Sequence, residues 1–465
     1  MGSGLWALGS GYRLWPKAKN PEPTSRLTYS FMSSDESHQH QAQAARVALL
    51  GFGTVGQSVA KILTERPPAG VRLTHIFNRG IARKRADWVG DDVTWTESIE
   101  EVFASDANVI VEVIGGRDPA GAWVRRALES GRSVVTANKQ LIAHEGAELT
   151  RLAAVARRHL RFEAAVAGGI PVIGALRNGI SGDRLIRLTG ILNGTCNYIL
   201  TSMAKGGASF AGALASAKQL GFAEADPTDD VQGYDARAKL AILCAVGLRA
   251  QVAPADIATR PITLVDGIDF RYAGTLDSTI RQISRAAIDP SQPRRIVASV
   301  GPSLVPMSSP LARVEGGQNV IVARGQYGGD TVYSGAGAGG GPTAVAVVSD
   351  LAAIALLEPE RDVAAPAEAP AVVDPEFVTA HYLRFIVRDR PGILAGIAQA
   401  LSRHNINIDA VLQLPNEHKD ALPFVVTVEP CLPATLSKAV AEIGAMDFHV
   451  VPPVDLPILA NGDAA

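Results

Sequence analysis

The run Val47-Ala48-Leu49-Leu50-Gly51-Phe52-Gly53-Thr54-Val55-Gly56 constrains this chain more than any other stretch. Four apolar residues read as a buried strand, the glycines as a tight turn, and residues 57–63 as a helix. Gly51 permits the turn, Gly53 lets a pyrophosphate approach the backbone, and Gly56 lets helix and strand pack closely. The free amides of the helix start then face the phosphates. A bare G-x-G-x-x-G says little, but the strand before it and the helix after it predict a Rossmann dinucleotide-binding domain. The second strand, 73–77, should end on an acid that binds the ribose hydroxyls of NAD. It ends instead on Asn78-Arg79, with Arg83, Lys84 and Arg85 close behind. Those cations suit a 2′-phosphate; the alternative is a solvated helix face. Further strands are expected at 109–114 and 133–136. The latter runs into Ala137-Asn138-Lys139, at the carboxyl end of a parallel strand where open α/β sheets bind ligands. Lys139 is therefore a candidate on the cofactor edge, simple exposure being the plain alternative.

A second constraint is the acidic stretch 221–239, Gly-Phe-Ala-Glu-Ala-Asp-Pro-Thr-Asp-Asp-Val-Gln-Gly-Tyr-Asp-Ala-Arg-Ala-Lys. Pro227 and Gly233 break any helix before Tyr234, so its first half reads as a loop. From Asp235 the pattern is helical, and Asp235 and Lys239 stack four apart on one face. One reading is an exposed surface pair. An EF-hand loop fails, because Val231 and Arg237 stand where glycine and glutamate are needed. The other reading is a site for a small zwitterion, with carboxylates for an ammonium and a lysine for a carbonyl or hydroxyl.

The 465 residues suffice for two or three domains. A hydrophobic content of 47% and a charged content of 19% describe an ordinary globular chain. The net charge of −2 gives no electrostatic reason to propose nucleic acid or a membrane surface as partner. Cys196, Cys244 and Cys431 are scattered without metal-ligand spacing, which fits a reducing compartment. Residues 1–45 are rich in Gly, Ser, Pro and Gln and read as a disordered leader rather than a signal peptide, with Met32 as an alternative start. The cofactor domain is placed at 46–170, with a helix at 144–158. Its end, 160–171, carries Gly168, Gly169 and Pro171 and either exposes carbonyls for binding or simply turns. An α+β domain follows at 171–330, and 331–357 is read as returning to the cofactor domain. Within it the glycine-rich 333–343 either caps a cofactor or hinges, before a helix at 343–357. The Pro/Ala/Glu-rich 358–376 reads as a linker. From 377 to 453 a β-α-β-β-α-β order predicts a ferredoxin-like unit. Its first helix opens at Asp389-Arg390-Pro391-Gly392, with Pro391 near the first turn and Ile393, Leu394, Ile397 and Leu401 on one face. Residues 454–465 read as a disordered tail.

Five stretches together resemble homoserine dehydrogenase of the monofunctional bacterial form with a C-terminal ACT domain: 51–56, 135–139, 190–200, 221–239 and 334–343. The third (Gly-Ile-Leu-Asn-Gly-Thr-Cys-Asn-Tyr-Ile-Leu) and the fourth are the most specific. The resemblance spans about 46–450 and implies an α/β enzyme that is cytoplasmic, with an N-terminal Rossmann domain, an α+β substrate and dimerisation domain, and an ACT domain. The implied reaction is reversible reduction of L-aspartate 4-semialdehyde to L-homoserine by NADPH, with NADH as the alternative. By resemblance Lys239 donates the proton, Lys139 contacts cofactor and substrate, and Glu224 and Asp235 hold the substrate ammonium. Asn193 and Thr195 complete the substrate set. Gly51, Phe52, Gly53, Thr54, Val55, Gly56, Arg79, Lys139 and Gly335 form the cofactor set. The backbone at Glu163, Val166, Gly168 and Ile170 matches a loop that takes a monovalent cation, sodium. Asp389, Gly392, Ile393 and Leu394 are the expected effector contacts, with L-threonine as effector and a homodimer or homotetramer as the assembly. Two other readings stand beside this one: another nicotinamide-dependent dehydrogenase of a small amino or hydroxy acid, and a non-catalytic amino-acid sensor.

Overall fold

The computed structural model describes residues 44–289, 292–357, 371–374 and 377–460. Six parallel strands form the first sheet: β1 (Ala45–Leu50), β2 (Val71–Phe77), β3 (Thr94–Thr96), β4 (Val109–Glu112), β5 (Ser133–Thr136) and β6 (Leu160–Arg161). Their order, β3-β2-β1-β4-β5-β6, reverses between β1 and β4, and this is where a doubly wound sheet opens a crevice. Val47, Ala48, Leu49 and Leu50 have no exposed surface, so β1 is apolar on both faces rather than alternating. The turn after it needs its glycines. Gly51 has φ +106°, and a Cβ on Gly56 would lie 2.1 Å from the Gly51 carbonyl oxygen. The helix Thr54–Glu65 follows directly. A later helix, Gly340–Leu356, comes back to pack on it through Ala344, Val347 and Leu351.

The second sheet has eleven strands. They are β7 (Leu185–Ile191), β8 (Ala258–Thr259), β9 (Ser278–Asp289), β10 (Gln292–Pro306), β11 (Gln318–Gly325), β12 (Gly329–Ala336), β13 (Val372–Asp374), β14 (Thr379–Val387), β15 (Ile408–Leu412), β16 (Leu422–Cys431) and β17 (His449–Ile458). Its main path is β12-β11-β7-β9-β10-β17-β14-β16-β15, with β8 and β13 also pairing with β10. The last four strands, with the helices Ile393–Arg403 and Pro433–Gly444, make the expected ferredoxin-like unit. Leu383, Phe385 and Val387 face those helices. The alternate residues Tyr382 and Arg384 face the other way, onto the helix Gly267–Thr275. There Asp269, fully buried, accepts from the Tyr382 hydroxyl (2.8 Å), from the Arg384 guanidinium and from the Asp266 backbone N–H (2.8 Å). Tyr272 donates to the carbonyl of Pro423 (2.7 Å), and Arg260 forks onto Asp455 at 2.8 and 3.0 Å.

Several boundaries move. The expected disordered tail is strand through Ile458, and Leu456 is fully buried. Pro452, Pro453 and Pro457 signal an ending, but β17 meets β10 only at Leu304–Ile458, and a nearly free edge tolerates missing N–H groups. Part of the expected linker, Val372–Asp374, pairs in parallel with Arg295–Val297 of β10. Of the expected leader, Ala45 begins β1; residues 1–43 lie outside the described residues, as do 358–370, 375–376 and 461–465. The returning segment starts at Gly340 rather than 331, because β12 holds 329–336 in the second sheet. The helix expected at 144–158 begins at Lys139, where the Asn138 cap starts it. Residues 228–231 of the acidic stretch form one helical turn between Pro227 and Gly233. Pro391 precedes the Gly392 cap and so lies outside its helix, and Leu394 is exposed rather than on the buried face.

Because Asp269 is enclosed, the Arg384 guanidinium must offset its charge. Arg384→Met leaves that carboxylate without its cation and should destabilise the fold by about 3 kcal/mol. Denaturant unfolding checks this; a midpoint equal to that of the parent would show that the pair contributes nothing.

Candidate active site

The first half of the site is built at the ends of β4 and β5. Glu112 terminates an apolar strand with no exposed surface, and its carboxylate accepts from the N–H groups of Ile114 (2.8 Å) and Gly115 (2.9 Å). Its other oxygen accepts from the Thr136 hydroxyl at 2.6 Å. Thr136 in turn accepts from the Asn138 N–H (3.0 Å), and Asn138 caps the next helix through the Leu141 N–H (3.1 Å). The Asn138 amide also donates to the Gly116 carbonyl at 2.5 Å. This chain of bonds fixes Lys139 as the first residue of the helix Lys139–Ala156. Sequence reasoning missed Glu112. Its signal is a lone carboxylate closing the otherwise apolar Val109-Ile110-Val111.

The second half comes from the other domain. Asn193, just past β7, caps the helix Gly194–Gly206 by accepting from the Cys196 N–H at 2.8 Å. Its amide group donates to Asp230 (2.6 Å) and to Asp235 Oδ2 (2.9 Å). The left-handed Gly233 (φ +82°) then starts the helix Tyr234–Gly247, which carries Asp235 and Lys239. Lys239 Nζ donates to Asp235 Oδ2 at 2.7 Å and to the Leu192 carbonyl at 2.8 Å. Lys139 Nζ lies 2.5 Å from Asp235 Oδ1. One buried carboxylate thus bridges two ammonium groups from two domains. Burial alone would raise the Asp235 pKa, yet the Lys239 and Lys139 charges hold it well below the usual carboxylate range. Burial likewise works against the Lys139 ammonium, but Asp235, with Asp230 and Asp229 behind it, raises its pKa above the ordinary lysine value. Asp230, half-buried, is shifted upward by its burial and by the neighbouring Asp235, against its bond from Asn193.

Both lysines open onto a cavity of about 250 Å³, walled also by Val55, Gly115, Gly168 and Ala338. It therefore lies between the glycine turn, the ends of β4 and β5, the 166–170 loop and the segment after β12. Of the expected cofactor set, Gly51 to Gly56 form that turn. Phe52 is buried against Trp95 and Trp88 and contributes backbone only, its N–H donating to the Asn78 side chain at 3.2 Å. Arg79 is exposed at the end of β2. Gly335 belongs to β12, opposite Asn319, and does not line the cavity; Gly337, Ala338 and Thr343 do, because the strand runs to Ala336. Of the substrate set, Thr195 donates to the Phe222 carbonyl (2.6 Å) and so anchors the acidic loop. Glu224 is exposed on that loop and joins none of the hydrogen bonds around the lysines. Asp230 has the place beside Asp235 instead, which the crowding of carboxylates did not single out.

The Glu163 side chain is occupied, accepting from the N–H groups of Ile173 (2.7 Å) and Gly174 (2.8 Å), and its carbonyl accepts a long bond from the Val166 N–H (3.5 Å). The Ile170 carbonyl accepts from Val172 at 2.7 Å. Among the described residues nothing donates to the carbonyls of Val166 or Gly168, and Ala167 and Gly168 both have positive φ (54° and 42°). Among the described residues no group of three His, Cys, Asp or Glu side chains could hold a metal, so a cation here would need backbone oxygens. In the C-terminal unit, Gly392 (φ 93°) caps the helix Ile393–Arg403, Ile393 is buried, and the Asp389 N–H donates to the Lys419 carbonyl at 2.8 Å. Among the described residues no helix is long and apolar enough to cross a membrane.

Three family models match in chain order: the homoserine dehydrogenase NAD-binding domain over 51–163, homoserine dehydrogenase over 171–352, and the ACT domain over 381–446. A homoserine dehydrogenase of Mycobacterium tuberculosis is 40% identical over 382 residues, covering 79% of this chain and 86% of its own length. That of Corynebacterium glutamicum is 37% identical over 418 residues, covering 86% and 93%. Among solved structures, a homoserine dehydrogenase from Thiobacillus denitrificans superposes with a TM-score of 0.81 at 34% identity, covering 89% of this chain and 98% of that one. A hyperthermophilic archaeal homoserine dehydrogenase in complex with NADPH gives 0.58 at 29%, covering 67% and 98%. Agreement of sequence, domain order and fold over most of each relative's length means that this chain belongs to the homoserine dehydrogenase family of NAD(P)-dependent oxidoreductases.

Proposed function

We propose that the Lys139–Asp235–Lys239 bridge is the catalytic centre for the interconversion of L-aspartate 4-semialdehyde and L-homoserine. An ammonium has three donors, and Lys239 uses two of them on Asp235 and Leu192. The third is free for the aldehyde oxygen, where negative charge develops as the carbonyl is reduced. Bound nicotinamide supplies the hydride. Lys239 gives its proton to that oxygen, and in the reverse direction takes it back. Lys139, on the cofactor side of the same carboxylate, positions the substrate and screens the developing charge. Asp235 keeps both cations in place, while Asp230 and the more exposed Glu224 receive the substrate ammonium. The bridge carries this reading, since a surface ion pair would not be enclosed, shared between domains and open to a cavity.

NADPH is the preferred cofactor in this proposal. A buried Asn78 stands where an acid would select NAD, and Arg79, Arg83, Lys84 and Arg85 are all exposed beside it. The free carbonyls of Val166 and Gly168, with those of Glu163 and Ile170, suit a structural sodium ion. The C-terminal unit acts as an L-threonine sensor, its effector carboxylate held at the Asp389–Leu394 junction by free helix-start amides. We take the enzyme to be at least a homodimer, with Val332 and Tyr327 exposed on and beside the edge strand β12. Free thiols at all three cysteines suit a cytoplasmic setting.

Homoserine oxidation followed by NADPH formation tests the core of this reading. Lys239→Ala should lose at least about a hundredfold in kcat, the lower scale for a general acid–base group. Near-normal turnover would remove Lys239 from the mechanism. For the cofactor, kcat/KM should favour NADP over NAD, and Arg79→Ala should raise the KM for NADP. Equal constants for the two cofactors, with NADP binding unchanged in the variant, would reverse the assignment. Millimolar L-threonine should inhibit the full chain; calorimetry showing no binding would leave the C-terminal unit without that effector.

A further inference from the structure

Asn319 lies near the start of β11, fully buried, and takes part in none of the steps above. Its amide donates to the Leu192 carbonyl at 3.1 Å, the same oxygen that receives Lys239 Nζ at 2.8 Å. Leu192 sits between β7 and the Asn193 cap, so its carbonyl fixes where the lysine ends. On its other side the Asn319 amide lies flat against Gly337. A Cβ on Gly337 would be 2.1 Å from Asn319 Cγ and 2.3 Å from both terminal amide atoms. Gly337 belongs to the segment that walls the cavity after β12. From the opposite direction Gly337 is pressed by the 166–170 loop, where a Cβ on Gly168 would be 2.9 Å from the Gly337 oxygen.

The Asn319 carbonyl oxygen has no hydrogen-bond partner among the described residues, although it is enclosed. An unpaired buried oxygen costs stability. An apolar side chain of similar size would avoid that cost but could not donate to the Leu192 carbonyl. We propose that Asn319 is a positioning residue that ties the seat of Lys239 to the segment closing the cofactor side of the cavity. It acts on the reaction from both directions. Its N–H group holds the carbonyl to which the proton-donating lysine is tethered, and its plane sets how close the 337–339 segment approaches. The proposal rests on Lys239 being the proton donor.

The test is steady-state kinetics of homoserine oxidation with the full-length enzyme, comparing Asn319→Ala, Gly337→Ala, the double variant and Lys239→Ala. Asn319→Ala should lower kcat at least about tenfold while the KM for homoserine stays within about twofold, because substrate-binding groups are untouched. Gly337→Ala should lower kcat through the clash alone. The double variant should recover part of that loss, since the added methyl occupies the space vacated by the amide. A purely structural Asn319 would instead lower the melting temperature and leave kcat within about twofold of the parent, which overturns the proposal. Insoluble protein from all three Asn319 and Gly337 variants would also mark the pair as structural and overturn it. Normal turnover in Lys239→Ala would remove the reading beneath. Loss there beside a normal Asn319→Ala would sink the Asn319 role alone.

Discussion

A single carboxylate, that of Asp235, holds the candidate site together. It is enclosed, and an isolated ionised carboxylate in such a place would be strongly disfavoured. Two ammonium groups and the Asn193 amide make the ionised form the stable one. The same attraction has a mechanical effect, because Lys139 leaves the six-stranded sheet while Asp235 and Lys239 leave the other domain. The bridge is therefore a strut between the two domains, beside the cavity that both lysines line. The crevice's own shape depends on a second buried carboxylate. Glu112 holds the turn after β4 and, through Thr136, the end of β5. One carboxylate organises the backbone around the cavity and the other organises the charges within it.

The C-terminal unit is more closely joined to the enzyme than a tethered sensor would be. Leu304 of β10 meets Ile458 of β17, so one sheet passes from the catalytic domain into the ferredoxin-like unit. Tyr382, Val425 and Leu456 share a core with Cys196, Leu200 and Met203 of the helix capped by Asn193. Asp269, in the first turn of its own helix, is held by Tyr382 and Arg384. A ligand can shift the enzyme only by binding one arrangement more tightly than another. The continuous core packs the C-terminal unit against the helix whose cap, Asn193, binds Asp230 and Asp235.

Much of this was legible in the residues. The glycine turn is self-contained, since Gly51 and Gly56 each answer a local steric demand, while a Cβ on Gly53 would meet no protein atom, and the strand before it is apolar throughout. The i,i+4 spacing places Asp235 and Lys239 together without tertiary information. That Lys139 completes the bridge is a long-range contact, and no local pattern encodes it. Proline content misled at β17, because a strand paired mainly on one side does not need every N–H. The acidic stretch gave charge without direction. Pro227 and Gly233 shape one helical turn that turns Asp230 inward, while Glu224 stays on the outer loop. The glycine-rich 333–343 reads as one loop, yet pairing with β11 carries the strand to Ala336 and leaves Gly337, Ala338 and Thr343 at the cavity.

If Asp235 works by holding the two lysines, a double-mutant cycle between Lys139 and Asp235 shows it most directly. Lys139→Ala, Asp235→Asn and the pair are compared with the parent in kcat/KM for homoserine oxidation. If the carboxylate and the lysine act as one unit, the double variant loses at least about tenfold less than the product of the two single losses. Losses that simply multiply would mean that the two side chains act independently, and the bridge would not be the element on which the site is built.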